Sequence, residues 1–278
     1  EYAGKVVLPE YKNLTIAESL VKIDEEILKK VDLNVLMAEI AEFKNVKKND
    51  IVLVYHSVYY PDIISVVRIF KKCKVVLEVE EIYSNVTQRK NDRKREKFAF
   101  KHADSFVFPT KLLNDECNPD GKPYFLIHGT YKVEPPISCG FNDDKIHVVY
   151  AGTFDTRKGG AAAAVDSAIY LDDKYHLHIL GFGTEEDTRM IKERINRVSE
   201  TCKSVVTYDG CLTGMDYIKF IQSCHIGLST QNPNASFNST SYPSKILSYM
   251  ANGLRVVTVR IPVVETSAVG EYMYYYDE

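Results

Sequence analysis

Short apolar runs alternate with helix-length amphipathic segments along most of this chain, and the alternation occurs in two blocks. In the first, apolar runs fall at 51–55, 74–79, 105–108 and 124–127, with helical periodicity at 61–70, 87–102 and 111–117. A polar stretch containing Pro135-Pro136 and running through 140–144 reads as a linker. Beyond it the pattern restarts, with runs at 146–151, 175–180, 205–208, 226–229 and 255–259 and helical segments at 161–171, 185–198 and 216–223. Strands joined by single helices pair parallel, because the helix carries the chain back to the end where the strand began, and the strand twist makes the crossover right-handed. The pattern therefore predicts an α/β chain of two Rossmann-like domains, each a parallel sheet flanked by helices. The expected division is an N-terminal domain at 1–140 and a C-terminal domain at 141–278. Ahead of the first block, 5–8 reads as a short strand and 16–43 as a helix, interrupted near Asp32-Leu33-Asn34.

Bulk properties narrow the classes of function. The chain has 278 residues, 45% hydrophobic and 26% charged, with a formal net charge of -3. That charge gives no general basic signature for nucleic acid. No apolar run approaches the ~20 residues of a membrane-spanning helix. The six cysteines are scattered without a Cys-x-x-Cys pair, which argues for reduced thiols rather than a zinc ribbon or a disulfide scaffold. The Asn-x-Ser/Thr triplets at Asn13, Asn85, Asn234 and Asn238 read as chance occurrences. The acidic pairs Asp143-Asp144 and Asp172-Asp173 sit in turn-like contexts and are not read as metal ligands.

In a parallel sheet ligands bind in the loops that follow the strands, so the chemistry is sought there. After the run at 146–151 comes Gly152-Thr153-Phe154-Asp155-Thr156-Arg157-Lys158-Gly159-Gly160, which is either a plain turn or a loop whose glycines admit a ligand and whose Arg157 and Lys158 neutralise phosphate. It lacks the Walker spacing. Gly181-Phe182-Gly183 follows the next run and is either a tight turn or a close approach to a ligand. The polar, uncharged segment Ser229-Thr230-Gln231-Asn232-Pro233-Asn234 suits hydrogen bonding to a base or sugar as well as it suits a solvated loop.

Ser241-Tyr242-Pro243-Ser244-Lys245 then opens a short helix that ends before Gly253, with Thr240 and Ser241 as candidate caps and Pro243 in its first turn. A lysine in a first turn opposes the helix dipole, and a bound phosphate would remove the conflict. In the first block His56, Glu80 and Glu81 follow apolar strands and are candidates for general-base or sugar-hydroxyl contacts, with a solvated strand end as the plain alternative for the glutamates. Seven Lys/Arg crowd 88–102, a basic helix that either faces solvent or touches anionic lipid headgroups.

These loops, taken in order over about 146–278, resemble the nucleotide-sugar half of family-4 (group 1) glycosyltransferases of the GT-B fold. Val149-Tyr150-Ala151-Gly152 with Lys158-Gly159, His178-Ile179-Leu180-Gly181-Phe182-Gly183, Val206-Thr207-Tyr208-Asp209-Gly210 and Tyr242-Pro243-Ser244-Lys245 through Gly253 carry the resemblance. In the first block, 77–83 is similar to the acceptor-side segment of polysaccharide-building members. The resemblance implies retaining transfer of a sugar from a UDP- or GDP-linked donor to a glycan or lipid-linked acceptor, in a cleft between two domains and without an obligatory metal or other cofactor. It implies bacterial cell-surface polysaccharide synthesis; the scattered thiols point to a cytoplasmic location, and the basic residues of 88–102 add peripheral contact with the inner membrane as the alternative to a solvated face. It places the donor diphosphate on Lys158, Ser244 and Lys245, with Gly152, Thr153, Arg157, Gly181, Gly183 and Gln231 around the donor, and leaves His56, Glu80 and Glu81 for the acceptor.

The pattern departs from the family at three positions. Thr240 and Ser248 stand where many members carry glutamates, and Thr153 stands where many carry an arginine. A first strand and a closing helix of the family pattern are expected outside the two ends of this chain. Three other readings stay open at this point: a catalytically weak nucleotide-sugar-binding subunit, motivated by Thr240 and Ser248, a non-enzymatic two-domain ligand-binding protein, and a GT-B epimerase acting on a nucleotide sugar.

Overall fold

Alternate residues of each strand point into a core, and this period sets both sheets. In the computed structural model the described residues are 14–16 (main chain), 47–56, 64, 72–87, 89–129, 131–137, 140–156, 158–235, 238 and 240–277. The strand expected at 5–8, the helix at 61–70 apart from Ile64, nearly all of 16–43, and Arg157 lie outside them. The chain divides into two compact units, Glu1–Ile127 and His128–Glu278. Residues ahead of the expected boundary at 140 bond into the second unit: the Ile137 N–H donates to Gln222 Oε1 at 2.8 Å, and Gln222 Nε2 donates to the Pro135 carbonyl at 3.2 Å.

The first unit holds a five-stranded parallel sheet in the order β1-β2-β3-β4-β5 (β1 Leu14–Ile16, β2 Ile51–Tyr55, β3 Lys74–Glu78, β4 Ser105–Phe108, β5 Tyr124–Leu126). The residue Ile16, expected to start a helix, closes strand β1 instead. Val52, Val54, Val75, Leu77, Phe106 and Phe108 form the core of this unit. The basic segment is helical as α2 (Lys90–His102), and a separate short helix without basic residues, α1 (Tyr83–Thr87), precedes it. Glu96 is the charged residue of α2 that turns inward, and it docks the helix through His56 and Ser84. Then α3 (Lys111–Cys117) starts at Thr110, whose hydroxyl accepts the Leu113 N–H.

The second unit has six parallel strands in the order β11-β10-β9-β6-β7-β8. These are β6 (Ile146–Thr153), β7 (Tyr175–Phe182), β8 (Val205–Gly210), β9 (Ile226–Ser229), β10 (Arg255–Val259) and β11 (Tyr274–Tyr276). Renumbered within the unit this is 3-2-1-4-5-6 read from β8, the doubly wound order. The strand order reverses between β6 and β9, so a crevice opens beyond their carboxyl ends. One face of the sheet packs Val148, Tyr150, Leu177, Ile179 and Val206 against α4 (Gly160–Asp166) and α5 (Glu185–Ser199). Two further helices of this unit are α6 (Gly214–Ser223) and α7 (Lys245–Ala251).

A single tyrosine manages the split between β6 and β9. These strands pair at Val148↔Ile226 and Val149↔Gly227. Past that point the fully buried Tyr249 of α7 enters, with its ring against Gly227, where a Cβ would sit 2.3 Å from ring carbon. Its hydroxyl accepts the Ala151 N–H at 2.7 Å and faces the Ala151 carbonyl at 3.4 Å. The phenol thus takes the place of a ladder partner. Tyr249→Phe is expected to leave a buried N–H unpaired and to cost about 1–3 kcal/mol, read from denaturant unfolding. An unchanged midpoint would mean that Ala151 does not depend on the phenol.

Candidate functional site

At the crevice between β6 and β9 the second unit holds a cavity of about 450 Å³, within the range of small-molecule sites. Gly152, Thr153 and Lys158 line it from the first loop, Thr230 and Gln231 from the end of β9, and Ser244, Lys245 and Ser248 from α7. Segments far apart in the chain meet there because they all leave the same sheet edge. The first loop is pressed down on β9: a Cβ on Gly160 would lie 2.3 Å from the Thr230 carbonyl oxygen, and the Thr230 hydroxyl donates to the Gly160 carbonyl at 2.7 Å.

Lys245 dominates the electrostatics of this cavity. Its Nζ lies 4.1 Å from the centroid of the Tyr150 ring and 3.2 Å from where a Cβ on Gly152 would be. A residue with a side chain at 152 would push the ammonium away. Among the described residues no carboxylate pairs with it. Burial, and then the like charge of Lys158, pull its pKa down to about 8. A desolvated ammonium facing a cavity without a counter-ion is a costly arrangement, and an anion in the cavity would relieve it.

The start of α7 differs from the sequence expectation. The first helical residue is Lys245, with Ser244 at the cap position in helical backbone and no side-chain cap. Thr240 and Ser241 therefore do not cap it, and Pro243 precedes it, its carbonyl accepting the Ile246 N–H at 3.0 Å. The end matches the expectation: Asn252 is the C-cap, and the Gly253 N–H donates to the Met250 carbonyl at 3.0 Å. Ser248 reaches the cavity with its hydroxyl 3.2 Å from that of Tyr217, whereas Thr240 is buried.

The sequence candidates are distributed as follows. Gly152, Thr153, Lys158, Gln231, Ser244 and Lys245 share the cavity. Gly181 and Gly183 do not line it. Gly181 lies opposite Gly152 in the β6–β7 ladder, and Gly183 packs against Phe154 and Asp187. His56, Glu80 and Glu81 belong to the first unit. His56 is 1% exposed, with Nε2 2.9 Å from Glu96 Oε1 and its ring 5.5 Å from Tyr83 and 5.1 Å from Phe100. Burial acts to raise the Glu96 pKa, but the bonds from His56 and Ser84 outweigh it and hold the carboxyl below its usual value. Glu80 is exposed at the end of β3, where desolvation and then Glu78 and Glu81 raise its pKa.

Sequence reading missed the aromatic wall and one amide. Tyr131, Tyr150, Tyr217 and Tyr242 line the cavity. Asn238, whose glycosylation-type triplet read as chance, is 3% exposed at the cavity, with Oδ1 accepting from Gln231 Nε2 at 3.0 Å. The strand order that gathers these residues leaves no mark in local sequence.

No family model matches the sequence, and no curated protein matches it. Solved structures do. Anabaena HepE in complex with UDP matches at TM-score 0.67 and 11% identity, covering 88% of this chain and 68% of that one. The pneumococcal O-GlcNAc transferase GtfA in complex with UDP and GlcNAc matches at TM-score 0.59 and 12% identity, covering 88% of this chain and 49% of that one. The lipopolysaccharide outer core galactosyltransferase WaaB matches at 0.61 and 13%, covering 92% and 73%. The parallel sheets, the doubly wound order of the second unit and these matches give the chain the α/β fold of GT-B glycosyltransferases.

Proposed function

We propose that this chain is a glycosyltransferase that takes a sugar from a nucleoside diphosphate sugar, with the donor diphosphate held in the cavity of the second unit. The desolvated ammonium of Lys245 at the switch point of the sheet, with no carboxylate partner among the described residues, carries this reading. Departure of a nucleoside diphosphate builds negative charge on its phosphate oxygens, and cations fixed beforehand stabilise that charge. Lys245 supplies one such cation, and Lys158 a second from the loop above β6. Gly152 and Gly160 keep that wall free of side chains. Gln231, with Asn238 behind it, and the tyrosines offer hydrogen bonds and ring faces to the sugar and base. Neighbouring structures solved with UDP support a uridine donor.

In the same reading the reaction retains anomeric configuration and needs no metal for the diphosphate. The acceptor is a glycan or a lipid-linked glycan of cell-surface polysaccharide synthesis, met through Glu80 and Glu81 of the first unit. Contact with a cytoplasmic membrane face runs through the exposed basic residues of α2. No helix among the described residues is long and apolar enough to cross a membrane. Thr240 and Ser248, at positions where resembling enzymes carry glutamates, favour a second reading as a nucleotide-sugar-binding subunit with little turnover of its own. Release of UDP in the presence of a lipid-linked acceptor separates the two.

Calorimetric titration with UDP and GDP tests the donor site. Binding of either, weakened roughly tenfold or more by Lys158→Ala, is the expected result; no binding of either sinks the reading. The pH dependence has a definite sign. With its pKa lowered to about 8, Lys245 is charged below that pH and becomes neutral above it, so a diphosphate must restore the proton. Affinity is expected to hold between about pH 7 and 8 and to fall by up to about tenfold per unit above that, with proton uptake visible as a dependence of the heat on buffer. Lys158→Ala removes a like charge and should move the break to higher pH.

A further inference from the structure

The second unit carries a cluster of histidines that the donor site does not use. His147 on β6 and His176 and His178 on β7 project from one sheet face, and one nitrogen from each ring lies within 4.8 Å of the others. His147 and His178 are each 2% exposed, while His176 is half-buried. Each ring gives one nitrogen to an acceptor outside the cluster. His147 Nε2 is 2.8 Å from Asp143 Oδ1, His178 Nδ1 is 3.1 Å from Asp209 Oδ2, and His176 Nε2 is 3.0 Å from Thr207 Oγ1. The Thr207 hydroxyl spends its own proton on Asp209 Oδ2 at 2.8 Å, so it accepts from His176. Strand alternation puts Asp209 on the same face as Thr207, beside the register shift at Ile179/Leu180.

The inner nitrogens are the telling ones. His147 Nδ1 and His178 Nε2 face each other at 2.8 Å. A carboxylate only accepts, so Asp143 and Asp209 fix the protons of both rings on the outer nitrogens. Two neutral rings then have a lone pair each at the shared inner position. At that distance a shared proton fits between the rings, and a metal held by both lone pairs at about 2.0–2.1 Å would part the two nitrogens to about 3.3 Å in tetrahedral geometry. Ligating histidines that pass their other N–H to carboxylates are the usual construction of a metal site, and two carboxylates match the charge of a divalent ion. Phe141 stacks on His147 at 4.0 Å and on His178 at 5.0 Å, and Phe220 meets His178 edge-on at 5.1 Å, which keeps water off that side. His225 is otherwise engaged, since its Nδ1 accepts the His147 N–H at 2.9 Å.

We propose that His147, His176 and His178 form a binding site for a divalent transition metal of the zinc type, with Asp143, Asp209 and Thr207 orienting the rings. Three imidazoles suit zinc, with a fourth position left for water. The site ties β6, β7 and β8 together at the amino-terminal side of the sheet, while the donor cavity lies at the carboxyl ends. Its role is to stabilise the fold.

The test uses the untagged chain after dialysis against a chelator. Titration with Co²⁺ is expected to give visible absorption bands of a four- or five-coordinate nitrogen site, saturating at one equivalent and lost on adding Zn²⁺. Either metal should also raise the melting temperature by several degrees. His176→Ala, at the half-buried ring, should keep the fold by circular dichroism and lose at least tenfold in metal affinity. Asp209→Asn should lose about 10–100-fold. Absence of both the bands and the thermal shift with wild type at about 100 μM metal overturns the site, as do bands that persist unchanged in both variants. A proton then occupies the inner position.

Discussion

Lys245→Met is expected to bind UDP at least tenfold more weakly than wild type and, without ligand, to unfold at a higher temperature. The two effects have opposite signs because one cause underlies both. The ammonium is held in a desolvated place beside Tyr150, with Lys158 as its charged neighbour and no carboxylate partner among the described residues. A charge-assisted bond to phosphate is worth about 1.5–3 kcal/mol, and the thioether cannot make it. In the unliganded protein the same replacement removes a buried charge and keeps the volume, a change that stabilises by about 1–4 kcal/mol in comparable settings. Loss of the contact with the Tyr150 ring returns about 0.5–1 kcal/mol, and the partial solvent contact of the residue lowers the gain further. A net of about 1 kcal/mol corresponds to roughly 2–4 °C. Calorimetry and a thermal melt decide the matter. A variant that melts lower and binds UDP as wild type does would show that Lys245 serves the fold, and the donor assignment would fail. Stability against pH gives a second check: the unfolded chain keeps the lysine proton up to about 10.5, so between pH 8 and 10.5 the wild type should gain stability from this group as pH rises.

Gly181→Ala is expected to be the most damaging single methyl group in the second unit, costing more than about 3 kcal/mol. Gly181 sits at φ +144, and a Cβ there would be 1.8 Å from the Gly152 carbonyl oxygen and 3.0 Å from Phe154 Cε1. The obstruction is main chain, so no rotamer change relieves it. The strands must part where they carry Gly152 into the cavity, and UDP affinity should fall with stability. Gly214→Ala is the control. Its φ of +57 is also positive, but nothing lies within 4 Å of a Cβ, so only backbone strain of about 1–2 kcal/mol applies. Equal unfolding midpoints for the two variants would refute the steric account.

This glycine shows how far local reading goes. Gly-x-Gly after a strand was legible as a special backbone position, but two physical needs lead to the same residue type. In this protein the close neighbour of Gly181 is a strand of the same sheet. The helix at 245–251 was legible from its apolar positions and its closing glycine, yet its first turn was placed two residues early, because Pro243 fits a helix start and also fits the turn before one. The segment at 88–102 is legible as a basic helix, with seven Lys/Arg against Asp92 and Glu96. Only packing showed that Glu96 turns inward to His56, which takes a candidate acceptor contact into the core of the first unit.

What the amino-acid order determined by itself was the class of fold: period-two apolar runs and ten-residue amphipathic segments allow a parallel sheet with helical crossovers and little else. It also marked Lys158, Lys245 and the loop glycines, because a lysine at a helix start and glycines after strands are local exceptions visible in any window. Tertiary structure decided which loops become neighbours. The order β8-β7-β6-β9-β10-β11 brings residues near 152, 230 and 245 to one crevice, seats Tyr249 between two strands and lines up three histidines from β6 and β7. Strand order is set by the packing of whole elements, so no stretch of sequence short enough to read alone contains it.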